Sequence, residues 1–254
     1  MGTSIAVAGK GGTGKTSIAA LLVRYLRERG DGTVLAIDAD PSSNLNQALG
    51  LTLVHSVGEI REDMAKKVGA NKFEVGLSKA EYLEYQIAES LVEGPGVDLL
   101  AMGRPEGPGC YCAANNLLRV IVDRIAKSYN YLVIDNEAGL EHLSRRTTRD
   151  IDALLVVSDP TLRGLTAAER VLRLLAELKT KVGRSYLVVN KVNGGLPAPL
   201  ATYVAGLPAT YLGTLPQDLG IAELDGRGEP LVNVDGASPL YSAVREVGRR
   251  LLDR

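Results

Sequence analysis

Apolar residues along the chain gather in short runs at 4–8, 33–38, 97–102, 130–135, 152–157, 185–190 and 210–214. Each run has the length of a strand, and strands buried on both faces read as near-continuous hydrophobic stretches. Between most of them, over 15–29, 113–127, 164–178 and 239–253, the pattern is helical. There the apolar positions return every three or four residues, the period of a helix with one face in a core. Strand and helix in alternation predict an α/β fold, a mainly parallel β-sheet with helices on both faces. Residues 55–93 break that rhythm with two polar helical stretches, Val57–Val68 and Lys79–Glu93, and read as an insertion. No Pro/Ser-rich linker or internal repeat separates a second unit, so residues 1–254 are expected to form a single domain.

Composition changes this picture little. With 45% hydrophobic and 23% charged residues, the chain has the profile of an ordinary globular protein. A net charge of −1 argues against nucleic-acid binding through overall charge. No apolar run nears the roughly 20 residues needed to span a bilayer. Ser4-Ile5-Ala6-Val7-Ala8 runs straight into a glycine loop that must stay attached, so no signal peptide is read there and a cytoplasmic protein is expected. Residues 239–253 carry Leu240, Val244, Val247, Leu251 and Leu252 beside Arg245, Arg249 and Arg250, a pattern that would also suit a membrane surface. Gly248, and an apolar face read as lacking a bulky aromatic, favour a helix packed on the core instead.

The glycine loop carries the first chemistry. Gly9-Lys10-Gly11-Gly12-Thr13-Gly14-Lys15-Thr16 fits GxxxxGK[ST] between a predicted strand and a predicted helix, the context of a phosphate-binding loop. Glycines allow successive backbone N–H groups to curl round a polyphosphate, and the helix start adds a positive dipole end. Gly11, Gly12, Thr13, Gly14, Lys15, Thr16 and Ser17 form the expected cradle. Lys15 should reach the β- and γ-phosphates, and the Thr16 hydroxyl should meet magnesium.

Lys10 is extra to that motif. KGGTGKT resembles the deviant Walker A loop of the MinD/ParA/nitrogenase-iron-protein class of ATPases. In that class the added lysine reaches the nucleotide held by a partner subunit, so the resemblance implies a nucleotide-bridged homodimer. Ala36-Ile37-Asp38-Ala39-Asp40-Pro41 is similar to the class's first switch. There one aspartate orients or activates the attacking water and the other supports magnesium, which makes Asp38 and Asp40 catalytic candidates with Lys10 and Lys15. Asp135, closing the run Tyr131-Leu132-Val133-Ile134, stands where a Walker B aspartate sits beside magnesium. Asn136-Glu137-Ala138-Gly139 resembles the second switch, whose glycine amide, here Gly139, senses the γ-phosphate.

Two loops bear on the base. Asn190-Lys191-Val192-Asn193 matches an NKxD loop except that Asn193 replaces the aspartate. A neutral amide accepts two guanine N–H donors poorly, so adenine is favoured, with Asn190 and Lys191 at the base side. Leu215-Pro216-Gln217-Asp218 resembles the class's second base loop, through Pro216 and Asp218.

Cys110 and Cys112 are the only cysteines, one residue apart after Gly107-Pro108-Gly109. Residues i and i+2 of an extended segment share a face, so both thiols can meet one spot. Tetrahedral coordination with metal–sulfur bonds near ~2.3 Å needs sulfurs about 3.8 Å apart, within reach of such a pair. One chain supplies half a site and a two-fold dimer supplies the rest. Packing as two small hydrophobes is the alternative. Gly103-Arg104-Pro105-Glu106-Gly107-Pro108-Gly109-Cys110-Tyr111-Cys112, with Asn115-Asn116-Leu117-Leu118-Arg119 and Asp135-Asn136-Glu137-Ala138-Gly139-Leu140-Glu141-His142, resembles the CooC-type ATPases. The resemblance implies an ATPase that binds nickel through the C-x-C of two subunits and serves nickel carbon monoxide dehydrogenase as client. Zinc can occupy such a thiolate set as well. Glu106 and Glu137 are candidate auxiliary ligands, whereas His55 reads as solvated and His142 is not assigned to metal. Two alternatives remain at this point: a MinD- or ParA-like positioning ATPase, and an ATPase carrying an iron–sulfur cluster between subunits.

Overall fold

A computed structural model describes residues 2–69, 78–104, 112–136, 150–177 and 181–253. The chain runs β1 (Thr3–Gly9), α1 (Lys15–Arg29), β2 (Val34–Asp38), α2 (Leu45–Leu49), α3 (Val57–Gly69), α4 (Lys79–Ser90), β3 (Val92–Gly94) and β4 (Val97–Ala101). It continues through α5 (Cys112–Ala126), β5 (Tyr131–Asp135), β6 (Asp150–Ser158), α6 (Leu162–Glu177), β7 (Lys181–Val189) and α7 (Ala198–Ala205). β8 (Thr210–Thr214), α8 (Leu219–Gly226), a 3₁₀ turn (Leu231–Asn233) and α9 (Pro239–Leu252) complete it. The eight strands form one sheet in the order β3-β4-β2-β5-β1-β6-β7-β8. Every pairing is parallel except β3 with β4. This is a single α/β domain.

Strand alternation divides the core in two. On β1, Ile5 and Val7 face a cluster built with α1, α2, α8 and α9, while Ala6 and Ala8 face a second built with α3, α4, α5, α6 and α7. Side chains of one strand point alternately to the two faces, so a run apolar at every position is what a doubly covered strand requires.

The polar stretch at 55–93 folds onto the sheet, because Val57, Ile60 and Met64 of α3 and Leu83 and Ile87 of α4 belong to the second cluster. Helix α4 ends earlier than its pattern suggests. Leu91 takes an extended conformation, and Val92–Gly94 pair antiparallel with β4 across a turn containing Pro95 and Gly96, the latter at φ 74°. Helix α9 packs along α1 with Leu240, Tyr241, Val244, Val247 and Leu251 buried. Tyr241 corrects the expectation of an apolar face without an aromatic: the residue is 1% exposed, and its hydroxyl bonds Glu28 of α1. Gly248 permits the close approach, since a Cβ there would stand 2.5 Å from the Tyr25 ring. Among the described residues, no helix is long and apolar enough to cross a membrane.

Candidate active site

In an open parallel sheet, ligands bind beyond the carboxyl ends of the strands, where the crossovers reverse direction. Here β1 lies between β5 and β6, and the candidate residues all sit at the carboxyl ends of strands: Lys10 after β1, Asp38 the last residue of β2, Asp135 the last of β5 and Asn190 after β7.

The phosphate loop is shaped by glycine. Gly9 has φ 146°, and a Cβ on it would fall 2.1 Å from the Val157 carbonyl of β6. Gly12 and Gly14 adopt φ 79° and 89°, left-handed conformations that side chains disfavour. Gly14 is also the N-cap of α1, with no side chain capping the helix and no acidic residue in the first turn. The first amides of α1 therefore lack an intrahelical partner and carry the positive dipole end, which suits a polyphosphate. Lys15 is buried and its Nζ donates to the Lys10 carbonyl at 3.3 Å, across the mouth of the loop. Thr13, also buried, donates its hydroxyl to the same carbonyl at 2.9 Å.

Beside the loop sits a set of carboxylates. Thr16 donates its hydroxyl to Oδ2 of Asp135 at 2.6 Å, while Asp135 Oδ1 is buried without a hydrogen-bond partner. Burial above all pushes the Asp135 carboxyl up to about 7, with Asp38 and Asp40 adding to the shift and Thr16 and Lys15 opposing it. An unpartnered carboxylate oxygen next to a threonine hydroxyl fits a hard divalent cation such as magnesium, which keeps water and phosphate among its ligands. Asp38, the register partner of Asp135, is fully buried and raised to about 6, chiefly by burial. Its two oxygens accept the amides of Asp40 at 3.0 Å and Leu45 at 2.9 Å, folding the loop back over the strand end. Asp40 is more exposed and accepts the Ser42 amide at 2.8 Å.

The expected base side forms a clamp on the same loop. Asn190 Nδ2 donates to the Thr13 carbonyl at 2.8 Å, its Oδ1 is buried without a partner, and Lys191, at φ 61°, donates to the Gly12 carbonyl at 2.9 Å. Val192 binds the Leu215 carbonyl at 3.0 Å and Asn193 meets Gln217 at 3.5 Å, which joins the two base loops. Pro216 lies in that second loop. The Asp218 carboxylate is heavily engaged, since Oδ1 caps α8 through Gly220 and Ile221, and Oδ2 takes the Ser238 hydroxyl and Leu240 amide.

Asp159 went unread in the sequence, and Asn136 was read there only as part of the second-switch motif. Asp159, at the end of β6, stands 3.9 Å from the Lys10 ammonium, and the strand-end rule that singled out Asp135 would have found it. Asn136 donates Nδ2 to the Val7 carbonyl at 3.0 Å, tying β5 to the strand that feeds the phosphate loop. Cys110, Gly139, Glu106, Glu137 and His142 lie outside the described residues. Cys112 is the first residue of α5, and His55 is exposed. Among the described residues no group of three His, Cys, Asp or Glu is placed to hold a metal ion.

Sheet topology, glycine loop, buried lysine and strand-end carboxylates together define a P-loop nucleotide hydrolase. The family model "CobQ/CobB/MinD/ParA nucleotide binding domain" matches residues 4–231, and the chain belongs to that family of ATPases. It is 44% identical over 250 residues, 98% of each chain, to an uncharacterised ATP-binding protein of Methanocaldococcus jannaschii. It is 34% identical over 188 residues, 70% of each chain, to the carbon monoxide dehydrogenase accessory protein CooC of Rhodospirillum rubrum. Among solved structures, MinD of Pyrococcus horikoshii complexed with Mg-ADP superposes with a TM-score of 0.70 at 20% identity, covering 100% of this chain and 97% of that one.

Proposed function

We propose that this ATPase is a metallochaperone: a nucleotide-bridged homodimer that binds nickel between Cys110 and Cys112 of two chains and assists maturation of a nickel carbon monoxide dehydrogenase. The observation that carries the reading is the C-x-C pair, the whole cysteine content of a chain similar to the Rhodospirillum rubrum accessory protein. Two thiolates per chain become four at a two-fold axis, a soft set that takes nickel and also zinc. ATP enters as the device that makes the dimer. Under this reading Lys15 holds the β- and γ-phosphates, and Thr16 and Asp135 hold magnesium. Lys10 leaves Asp159 to reach the partner's nucleotide. Asp40 presents the attacking water, while Asp38, with both oxygens bonded to backbone amides, holds the loop that carries Asp40. The Gly139 amide meets the γ-phosphate, and Asn190, Lys191, Pro216 and the loop that ends at Asp218 surround adenine.

Anaerobic titration with nickel and then zinc, with and without nucleotide, tests the proposal. Half a metal per chain is expected, lost in both Cys110→Ser and Cys112→Ser while ATP hydrolysis persists. One tightly held metal per chain, surviving in either variant, would sink it. A MinD-like role at a membrane would call for a free amphipathic helix, and the apolar face of α9 is buried against α1. An inter-subunit iron–sulfur cluster would show as visible absorption after anaerobic purification.

A further inference from the structure

Two adjacent carbonyls of the phosphate loop are held from outside, by consecutive residues of the loop after β7. Asn190 Nδ2 donates to the Thr13 carbonyl at 2.8 Å, and Lys191 Nζ donates to the Gly12 carbonyl at 2.9 Å. In a planar trans peptide the C=O and the following N–H point in opposite directions. A carbonyl turned toward the β7 loop therefore turns the next amide away from it. Holding Gly12 aims the N–H of Thr13, and holding Thr13 aims that of Gly14. The Thr13 N–H lies toward the Lys10 carbonyl at 3.4 Å, the oxygen that the Lys15 ammonium also meets at 3.3 Å. Amide and ammonium thus converge on one acceptor.

Lys191 reaches the loop from an unusual backbone. Its φ of 61° lies in the left-handed region that residues with a side chain seldom adopt. Such a conformation persists where the surrounding bonds fix it. Here the Asn190 amide donates to the Ser158 carbonyl at 2.8 Å and the Val192 amide to the Leu215 carbonyl at 3.0 Å, one on each side of Lys191. Contact with the phosphate loop is equally close beside it, since a Cβ on Gly14 would stand 2.5 Å from Asn190 Nδ2. The ends of β6, β7 and β8 therefore set where the lysine starts, and its ammonium goes to a main-chain carbonyl of the loop.

We infer that Lys191 is a positioning residue for the polyphosphate: by holding the Gly12 carbonyl outward it presets the Thr13 amide for an anionic oxygen. Asn190 sets the neighbouring peptide plane in the same way. Lys191 can lie beside adenine and still act through the phosphates, because its stem and its ammonium meet different things. The inference goes beyond the metallochaperone reading and needs neither the cysteines nor a bound metal of that site. It requires only that the loop binds phosphates.

Lys191→Met keeps the stem and removes the ammonium. Its affinities for magnesium-ATP and for magnesium-tripolyphosphate, which carries no base, should fall by the same factor, about 5–10-fold, the scale of one ordinary hydrogen bond. In the nucleotide-free protein the Thr13 amide should exchange its hydrogen faster in the variant, a readout that involves no ligand. A bond of fixed geometry outlasts screening, so the ratio of wild type to variant should persist at ~1 M salt, where the Debye length is about 3 Å. Weakened ATP with unchanged tripolyphosphate would return Lys191 to the base and overturn the inference. So would a ratio that vanishes in high salt, or unaltered exchange at Thr13, since either would leave Lys191 only a nearby charge. Nickel and zinc titrations of the wild type are untouched by any of these results, so the two readings stand or fall separately.

Discussion

At the scale of single residues, the site separates groups that meet the nucleotide from groups that hold its walls. Lys15 is proposed to be of the first kind, and Lys15→Ala should then abolish nucleotide binding and hydrolysis, measured by equilibrium binding and phosphate release. Asp218 shows the second kind. Its carboxylate stays below the usual range even though burial, the largest influence, pushes it up, because Ser238 and the amides of Leu240, Ile221 and Gly220 all donate to the ionised form. Folding therefore favours the charged state. That contribution is fully present above the ordinary value of 3.8 and is lost as pH falls through the depressed one. Asp218→Asn keeps one acceptor oxygen, weakens the two bonds to it by removing the charge and turns an amide nitrogen toward the other two donors, and should cost about 1–2 kcal/mol at pH 7. Thermal unfolding of both proteins between pH 7 and 3 should show the gap closing on acidification; a constant gap would mean that charge is not what Asp218 contributes. Sequence resemblance placed this residue at the base, and four donors to one carboxylate could not be read from spacing.

At the scale of elements, the parallel strands were legible because most carry a short, near-continuous apolar run such as Leu187–Val189 of β7, and helices α1, α5, α6 and α9 because each shows one apolar stripe. What was illegible was short or decided by neighbours. β3 is three residues long and exists because β4 offers an edge, while the local pattern favoured continued helix. α2, α7 and α8 have five to eight residues, too few for periodicity to register against loop composition. The candidate site was legible for a related reason: phosphate loops and strand-end aspartates depend on local sequence, whereas the Lys10–Asp159 pair joins loops about 150 positions apart. Gly248 in α9 offers an element-level test. Ala is ordinarily the better helix former by about 1 kcal/mol, so propensity alone predicts that Gly248→Ala stabilises. Contact with the Tyr25 ring predicts the reverse, a loss of about 1–3 kcal/mol from overpacking. Denaturant unfolding of Gly248→Ala, with Tyr25→Ala/Gly248→Ala as relief, separates the two, and a stabilised single variant would show that α9 can shift off α1 freely.

For the whole molecule, the proposed dimer has two independent bridges, nucleotide through Lys10 and metal through the thiols. Each ligand that binds only the dimer must shift the monomer–dimer equilibrium, and each must strengthen the other by the same factor. Nickel or zinc should therefore raise the dimer fraction without ATP, and ATP should tighten metal binding by the factor by which metal tightens ATP. The variants divide these effects. Lys10→Ala leaves the cradle of Gly11 to Thr16 intact, so it should bind ATP, yet lose nucleotide-driven dimerisation and turnover while keeping metal-driven dimerisation. Cys110→Ser should do the converse, because symmetry removes two of four ligands and replaces soft thiolates with poorly ionised hydroxyls. Sedimentation velocity of the three proteins with ATP, with zinc and with both measures all the required populations. Wild-type protein that stays monomeric when saturated with metal, or Lys10→Ala that hydrolyses ATP at the wild-type rate, would show that the two bridges do not meet in one dimer.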